Sequence, residues 1–369
     1  MKKVYLAIVS ILTVFSVSAQ EGGPLTLSGY VDTYYFANFN KTTTNEGASG
    51  FERIFDQNAN SFQVGLAQMM LTYEAGSVTG VIDVVVGNHA DLANYGNATS
   101  PLGSTSTALA IKQAYMTWAA NDVLSFTAGQ FGTNVGYEVI DAPANFNYSL
   151  SNLFGNGPFY HTGIKMDVAA SDNVAFMVGV NNGLDSKDDN NKPKGVMGQV
   201  YLAPTDGWDV YLNYFGTNEG SKDDKATYSW FDITTSYQVT DDLLIGINAV
   251  PYGAFKTETS TQSWSGAALY VNGSVSEKLG LGVRAEYFDN SEGGIYLADF
   301  NNTGSGEGAA VTSLTLTASI DITEHLMFKP EFRFDKYKTD SGSMWLTDEA
   351  GAYTKDSQST LGGALIFHF

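Results

Sequence analysis

Leu326-Met327-Phe328-Lys329-Pro330-Glu331-Phe332-Arg333-Phe334-Asp335 is a stretch with two unlike faces. Leu326, Phe328, Phe332 and Phe334 fall on one side, and Met327, Lys329, Glu331, Arg333 and Asp335 on the other. A period of two is the period of a β-strand, because successive side chains point to opposite faces of the pleat. The pattern recurs through the chain. Leu124, Phe126 and Ala128 alternate with Ser125, Thr127 and Gly129; Val174, Phe176, Val178 and Val180 alternate with Ala175, Met177 and Gly179; Phe231, Ile233 and Thr235 alternate with Asp232, Thr234 and Ser236. In each case one face is apolar and the other is polar or small. About 16 such segments can be marked, at 25–37, 61–75, 77–88, 108–119, 122–132, 160–170, 173–181, 195–204, 207–216, 226–239, 241–255, 262–275, 278–289, 309–321, 324–338 and 356–369.

The connections sort by length. Seven are tight and polar, such as Ala75-Gly76-Ser77, Ala120-Asn121-Asp122 and Pro204-Thr205-Asp206-Gly207. The others are mostly long and rich in Gly, Asn, Ser and Asp, as at 38–60, 88–107, 133–159, 290–308 and 339–355. Short turns at one end and long loops at the other predict an all-β transmembrane antiparallel up-and-down β-barrel, with short periplasmic turns and long extracellular loops. The strands reach the roughly 9–11 residues that a tilted span needs. Closure is required because lipid satisfies no backbone donor or acceptor, and a barrel of this size leaves an aqueous channel. In the last strand Leu361, Gly363, Leu365, Phe367 and Phe369 share a face, and Phe369 ends the chain. A terminal aromatic in that position resembles the signal read by barrel-assembly machinery.

The first residues predict a leader. Lys2 and Lys3 precede an apolar run from Val4 to about Val17, and Val17-Ser18-Ala19 offers small residues for cleavage. This is the layout of a signal peptide over 1–19, with the barrel over 20–369. The run is too short for a spanning helix. Of 19 basic residues two lie in the leader, which leaves 17 against 39 acidic ones. That balance excludes nucleic acid as a partner, since phosphate binding needs clustered Lys and Arg. Disorder is excluded by 43% apolar and 13% aromatic residues. With no cysteine there is neither lipoprotein attachment nor a thiolate metal site. His89, His161, His325 and His368 are scattered without metal-ligand spacing, and no nucleophile elbow or phosphate loop is present. The sequence therefore predicts no enzyme, no cofactor and no metal. Asp185-Ser186-Lys187-Asp188-Asp189-Asn190 has some of the spacing of a calcium loop, but Lys187 takes a ligand position, so a solvated loop is expected.

A family likeness runs through nearly all of the mature chain. It is carried by Lys112-Gln113-Ala114-Tyr115, Gly129-Gln130-Phe131-Gly132, Gly136-Tyr137-Glu138-Val139-Ile140-Asp141, Asn145-Phe146-Asn147-Tyr148-Ser149, Phe159-Tyr160-His161-Thr162-Gly163 and Asn181-Asn182-Gly183-Leu184-Asp185. Ser28-Gly29-Tyr30-Val31-Asp32-Thr33-Tyr34-Tyr35 and Arg284-Ala285-Glu286-Tyr287-Phe288 fit as well. The chain resembles the OmpL-like β-barrel porin family of the Gram-negative outer membrane. Where that family often has Pro-Phe-Thr-His-Thr-Gly, this chain has Tyr160 at the third position. The resemblance implies a pore without naming its solute. The expected function is passive diffusion of small hydrophilic solutes through an outer-membrane channel. The alternative is a surface adhesion or structural barrel whose long loops bind a partner. Outer-membrane lipid and barrel-assembly machinery are the expected partners, with a homo-trimer by analogy with barrels of this size.

Loop 133–159 is the candidate constriction loop. If it folds inward, Glu138 and Asp141 stand at the narrowing. Alternation sends Asp32, Asp83, Lys165, Arg284, Glu286, Lys329, Glu331 and Arg333 to the lumen, since a lipid-facing Lys or Arg costs about 2–4 kcal/mol at mid-membrane. Asp167, Asp209, Asp232, Asp321 and Asp335 join them, so nine lumen acids face four clear bases and predict a mildly cation-selective pore. Lys112 has no assignable face, because segment 108–119 keeps no clean parity. Trp118, Trp208, Tyr237 and Phe369 lie near short turns and suit an interfacial girdle.

Overall fold

The computed structural model describes residues 24–45, 47–48, 53–94, 107–189, 191–220, 225–295 and 307–369. The expected leader lies outside the described residues. The strands, in chain order, are β1 (Leu25–Asn38), β2 (Gln63–Ala75), β3 (Val78–Val86), β4 (Ile111–Ala119), β5 (Leu124–Gly132), β6 (Tyr160–Ser171), β7 (Val174–Asn181), β8 (Gly195–Thr205), β9 (Trp208–Asn218), β10 (Thr227–Thr240), β11 (Leu243–Lys256), β12 (Thr261–Ser276), β13 (Leu279–Asp289), β14 (Ala310–Thr323) and β15 (Leu326–Lys338), then a hairpin of β16 (Leu346–Thr347) and β17 (Tyr353–Lys355), and last β18 (Ser357–His368). Sixteen of them, all but the hairpin, form one closed antiparallel barrel in which each pairs with its sequence neighbours. Strand positions and loop sorting follow the alternation. One connection on the long-loop side, 257–260, is short.

β1 and β18 close the barrel in register from Tyr30↔His368 to Asn38↔Thr360. Beyond the last strand, Phe369 and Gly29 exchange both backbone bonds, at 3.0 and 3.1 Å. Gly29 is required by close approach. A Cβ there would stand 2.3 Å from the Gln68 carbonyl and 2.8 Å from the Phe369 ring.

The two faces differ as the sequence predicts. On β13 Leu281, Val283 and Tyr287 are exposed on the outer surface, while Arg284, Glu286 and Phe288 are buried inside. Trp118, Trp208 and Tyr237 stand outward near the short turns, and Phe369 is half-buried. No described helix is long and apolar enough to cross a membrane. Here the strands supply the crossing surface.

The interior is less polar than alternation suggests. Toward the long-loop end, Phe215, Trp230, Trp264 and Phe288 point inward and pack together. Trp230 lies 5.2 Å from Trp264 and 5.4 Å from Phe215 between ring centres. The barrel therefore carries a packed core on its β9–β13 side, and only part of its section is open.

Candidate functional site

Loop 133–159 leaves β5, turns into the barrel and lies against the inner wall of β12–β15. Its local shape is set by its own polar residues. Asn145 accepts from the Val139 N–H at 3.1 Å and donates to the Val139 carbonyl. Gly136 holds a φ of 96°, a region that favours glycine. Ser151 caps a short helix, α2 (Asn152–Gly155), by accepting from the Phe154 N–H at 3.0 Å.

The wall holds this loop mostly by its backbone. Glu286 accepts from the N–H groups of Asn152 (3.0 Å) and Leu153 (2.8 Å) and from the Asn152 side chain (2.8 Å). Glu331 accepts from the N–H groups of Tyr148 (2.7 Å) and Ser149 (3.1 Å). In the opposite sense, Arg284 donates to the Ser149 carbonyl (2.6 Å), Arg333 to that of Leu150 (2.7 Å) and Lys329 to those of Ala142 (2.9 Å) and Asn145. Glu138 pairs with Arg284 at 2.5 Å and accepts from the Ser151 N–H. Asp32 accepts from the Tyr148 hydroxyl, and Asp232 from the Gly136 N–H. A buried charge is tolerated only when paired and hydrogen-bonded; here the loop backbone supplies the partners.

The first long loop adds a second layer. Arg53 is fully buried, paired with Asp56 and Asp335 and bonded to Thr360. Ile54 and Phe55 beside it pack on Leu150 and Phe154 of loop 133–159. Helix α1 (Asn88–Ala93) presses in from the third side, with His89 stacked on Tyr34 at 5.4 Å. Burial holds the His89 pKa below its ordinary value.

A cavity of about 220 Å³ stays open between loop 133–159 and the β4–β10 wall. It extends from Ala93 and Phe159 at the long-loop end to Tyr211 and Ser236 toward the short turns. Two lysines reach it. Lys165 pairs with Asp167 at 3.3 Å. Lys112 pairs with Asp141 and lies 3.5 Å from Asp83. The missing parity of this strand has a simple cause. Asp83 faces Gln113 and Val84 faces Ile111, so Lys112 is the extra residue of a bulge. A bulge re-aims a side chain, and here it turns a lysine inward.

Beside the mouth, segment 182–187 forms a strap. Asp185 accepts from the N–H groups of Phe159 (2.6 Å) and Tyr160 (3.1 Å). Lys187 donates to the Ile111 carbonyl (2.6 Å) and to Gln130 (3.0 Å). Glu219 accepts from the Leu184 N–H at 2.8 Å. Burial pushes Asp185 up to about 7 and Lys187 down to about 8. The expected solvated loop is thus a tied one, because its acid meets two backbone donors of a neighbouring segment.

These positions revise the expected pore lining. Arg284, Glu286, Lys329, Glu331 and Arg333 do point inward, but loop 133–159 covers them and each is at most 3% exposed. They anchor the loop and do not meet water. Asp32 and Asp83 are equally sealed. The loop lies directly on Arg284, Lys329 and Arg333, because their donors fit its carbonyls. Of the charged residues expected in the lumen or at the narrowing, Asp141, Glu138 and Lys165 border the cavity. Lys112 borders it without having been assigned there.

A sixteen-strand barrel with an inward third loop is the architecture of a porin-type barrel. The family model described as "Putative beta-barrel porin-2, OmpL-like" matches residues 24–369, and the chain belongs to that family. Among curated proteins none matches it. The barrel is similar to the anion-selective porin from Comamonas acidovorans (11% identity, 94% of this chain and 99% of that one, TM-score 0.59). It is also similar to the outer membrane channel DcaP of Acinetobacter baumannii (13%, 96% and 99%, 0.58). The trimer form of OmpT of Vibrio cholerae is comparable (13%, 95% and 100%, 0.58). At such identities the likeness shows the fold alone.

Proposed function

We propose that this protein is an outer-membrane porin, exported by the leader at 1–19, that lets small hydrophilic solutes diffuse passively through the cleft beside loop 133–159. The observation that carries the reading is the placement of that cleft. Its lining runs from the long-loop end to the lower part of β9 and β10, and it carries Lys112, Asp141 and Lys165 in an otherwise packed interior. Loop 133–159 is then the constriction, with Glu138 held back by Arg284 and Asp141 at the edge of the passage. The family and its porin neighbours support a channel over an enzyme. The trimer form recorded for one neighbour supports a homo-trimer. Phe369 is the assembly signal in this reading, since it ends the outward row of β18 and also pairs with Gly29. Bilayer recordings on the purified barrel test the proposal. Steady open-channel steps in potassium chloride are expected; a folded barrel that stays electrically silent refutes the channel and favours a surface adhesion or structural role.

A further inference from the structure

The upper half of the cleft has an unusual lining for a passage meant only for ions. Ala93, Ile111, Val139, Ile140 and Phe159 border it, and all five are only half-buried. Apolar side chains left against water are a cost unless something covers them. They come from three separate elements, α1, β4 and loop 133–159, so they form a wall and not a single stray residue.

Two opposite charges are set directly beside this wall. Lys112 follows Ile111, and Asp141 follows Ile140. Their side chains are 17% and 19% exposed and are joined to each other across the cleft edge. Asp83, the other partner of Lys112, is fully buried and held by Gln68 (2.9 Å) and Gln113 (3.2 Å). The passage therefore meets one ammonium and one carboxylate, side by side, next to an apolar surface. Lys165 and Asp167 repeat a matched pair lower down. No single sign of charge dominates the lining.

We infer that the cleft selects small zwitterions with an apolar side chain, such as hydrophobic α-amino acids and short peptides. The inference rests on the porin reading. A solute carboxylate takes the Lys112 ammonium while its own ammonium takes the Asp141 carboxylate, so one ion pair is exchanged for two. The solute's apolar part covers Ile111, Ile140 and Phe159 during passage. A simple anion that takes Lys112 strands Asp141, and a simple cation that takes Asp141 leaves Lys112 with Asp83 alone. A polar zwitterion satisfies both but leaves the apolar wall wet.

Four probes separate these cases in vesicles carrying the full-length barrel at pH 7: L-phenylalanine, 3-phenylpropionate and phenethylammonium, which are of related size, and the smaller L-serine. Influx is read above that of protein-free vesicles. L-phenylalanine is expected to enter about two- to fivefold faster than each of the other three, the range set by one partly exposed ion pair. The double variant Lys112→Gln, Asp141→Asn is expected to lose the advantage over the two single-charge probes. Ile140→Ser is expected to lose the advantage over serine. Folding of both is read from heat-modifiable migration, and if either fails to fold the four-probe comparison on the parent decides. Equal rates for all four, or a single-charge probe entering fastest, overturns the inference while steady conductance keeps the porin reading. Absence of conductance removes both.

Discussion

Truncating the two glutamates that hold loop 133–159 should release it without opening the barrel. Glu286→Ala leaves the N–H groups of Asn152 and Leu153 without acceptors, while the Asn152 side chain keeps Ser313 at 3.1 Å. Both residues are at most 5% exposed. A buried donor left unpaired costs about 1–3 kcal/mol, so Glu286 accounts for roughly 2–6 kcal/mol of docking. Glu331→Ala strands the N–H groups of Tyr148 and Ser149 in the same way and costs a similar amount. At about 1.4 kcal/mol per tenfold, either change lowers the docking equilibrium constant by a factor of roughly thirty or more. Arg284, Lys329, Arg333 and the Leu150–Phe154 contacts still hold in the single variants, so those should flicker. The double variant should stay undocked. The sixteen-strand ladder does not pass through these side chains, so the barrel itself persists. The assay is single-channel recording: added open-channel noise in each single variant, and a larger conductance in the double. Glu286→Gln keeps one acceptor oxygen and should be milder. A folded double variant with the conductance and noise of the parent would refute the argument that backbone capture by carboxylates holds the loop.

Three further outcomes follow from the same structure. Deleting Phe369 removes the backbone bonds to Gly29, and replacing it with Asp puts a charge at the end of the outward row of β18; either change should lower the amount of heat-modifiable barrel in outer-membrane fractions, and equal amounts would remove its role in assembly. Lys165→Gln leaves Asp167 unpaired beside the cleft and should move the zero-current potential in a salt gradient toward cations; an unmoved potential would place Lys165 outside the conduction path. Asp185 has a folded pKa of about 7 against an unfolded value near 3.9. The folded strap therefore holds a proton that the unfolded chain has released, and its stability falls as pH rises from about 4 through 7. Hydrogen-exchange protection of the Phe159 and Tyr160 amides, corrected for intrinsic rates, should drop between pH 5 and 8 in the parent and stay level in Asp185→Asn. A level profile in both would refute a buried ionising tether.

The barrel was legible because lipid makes one demand on every strand. Each outward residue must be apolar, so a period of two survives in short segments such as Val174–Val180. Turn and loop lengths added the closure. The exceptions were also physical. Lys112 hid its direction because a bulge breaks the period at that residue, and no side-chain pattern marks a bulge. Trp230, Trp264 and Phe288 fall on inward parity, but an inward aromatic reads the same whether it lines water or packs on its neighbours. The inward fold of loop 133–159 rests on pairings between residues more than a hundred positions apart, such as Glu138 with Arg284 and Tyr148 with Asp32. Alternation carries no information about those.

Counting charges by face fails for the same reason. The nine acids and four bases expected in the lumen suggest a cation-attracting interior. Yet Asp32, Asp83, Asp232, Glu286, Glu331 and Asp335 are all buried and all bonded to side-chain or backbone donors. Arg284, Lys329 and Arg333 are buried against carbonyls and carboxylates. Charges matched this closely act on one another more than on an ion in the cleft, and salt screens what remains within about 8 Å at physiological strength. Asp209 and Asp321 are half-buried near the short turns and do not border the cleft, so the groups left to set selectivity beside it are Lys112 with Asp141 and Lys165 with Asp167, which balance. In the proposed pore such a lining would discriminate little between simple anions and cations. On the proposed reading its preferences would come from the shape and the apolar wall of the passage. Part of the acid of the chain serves the scaffold instead: Glu286, Glu331 and Asp232 accept from backbone N–H groups of a loop that has no strand partner.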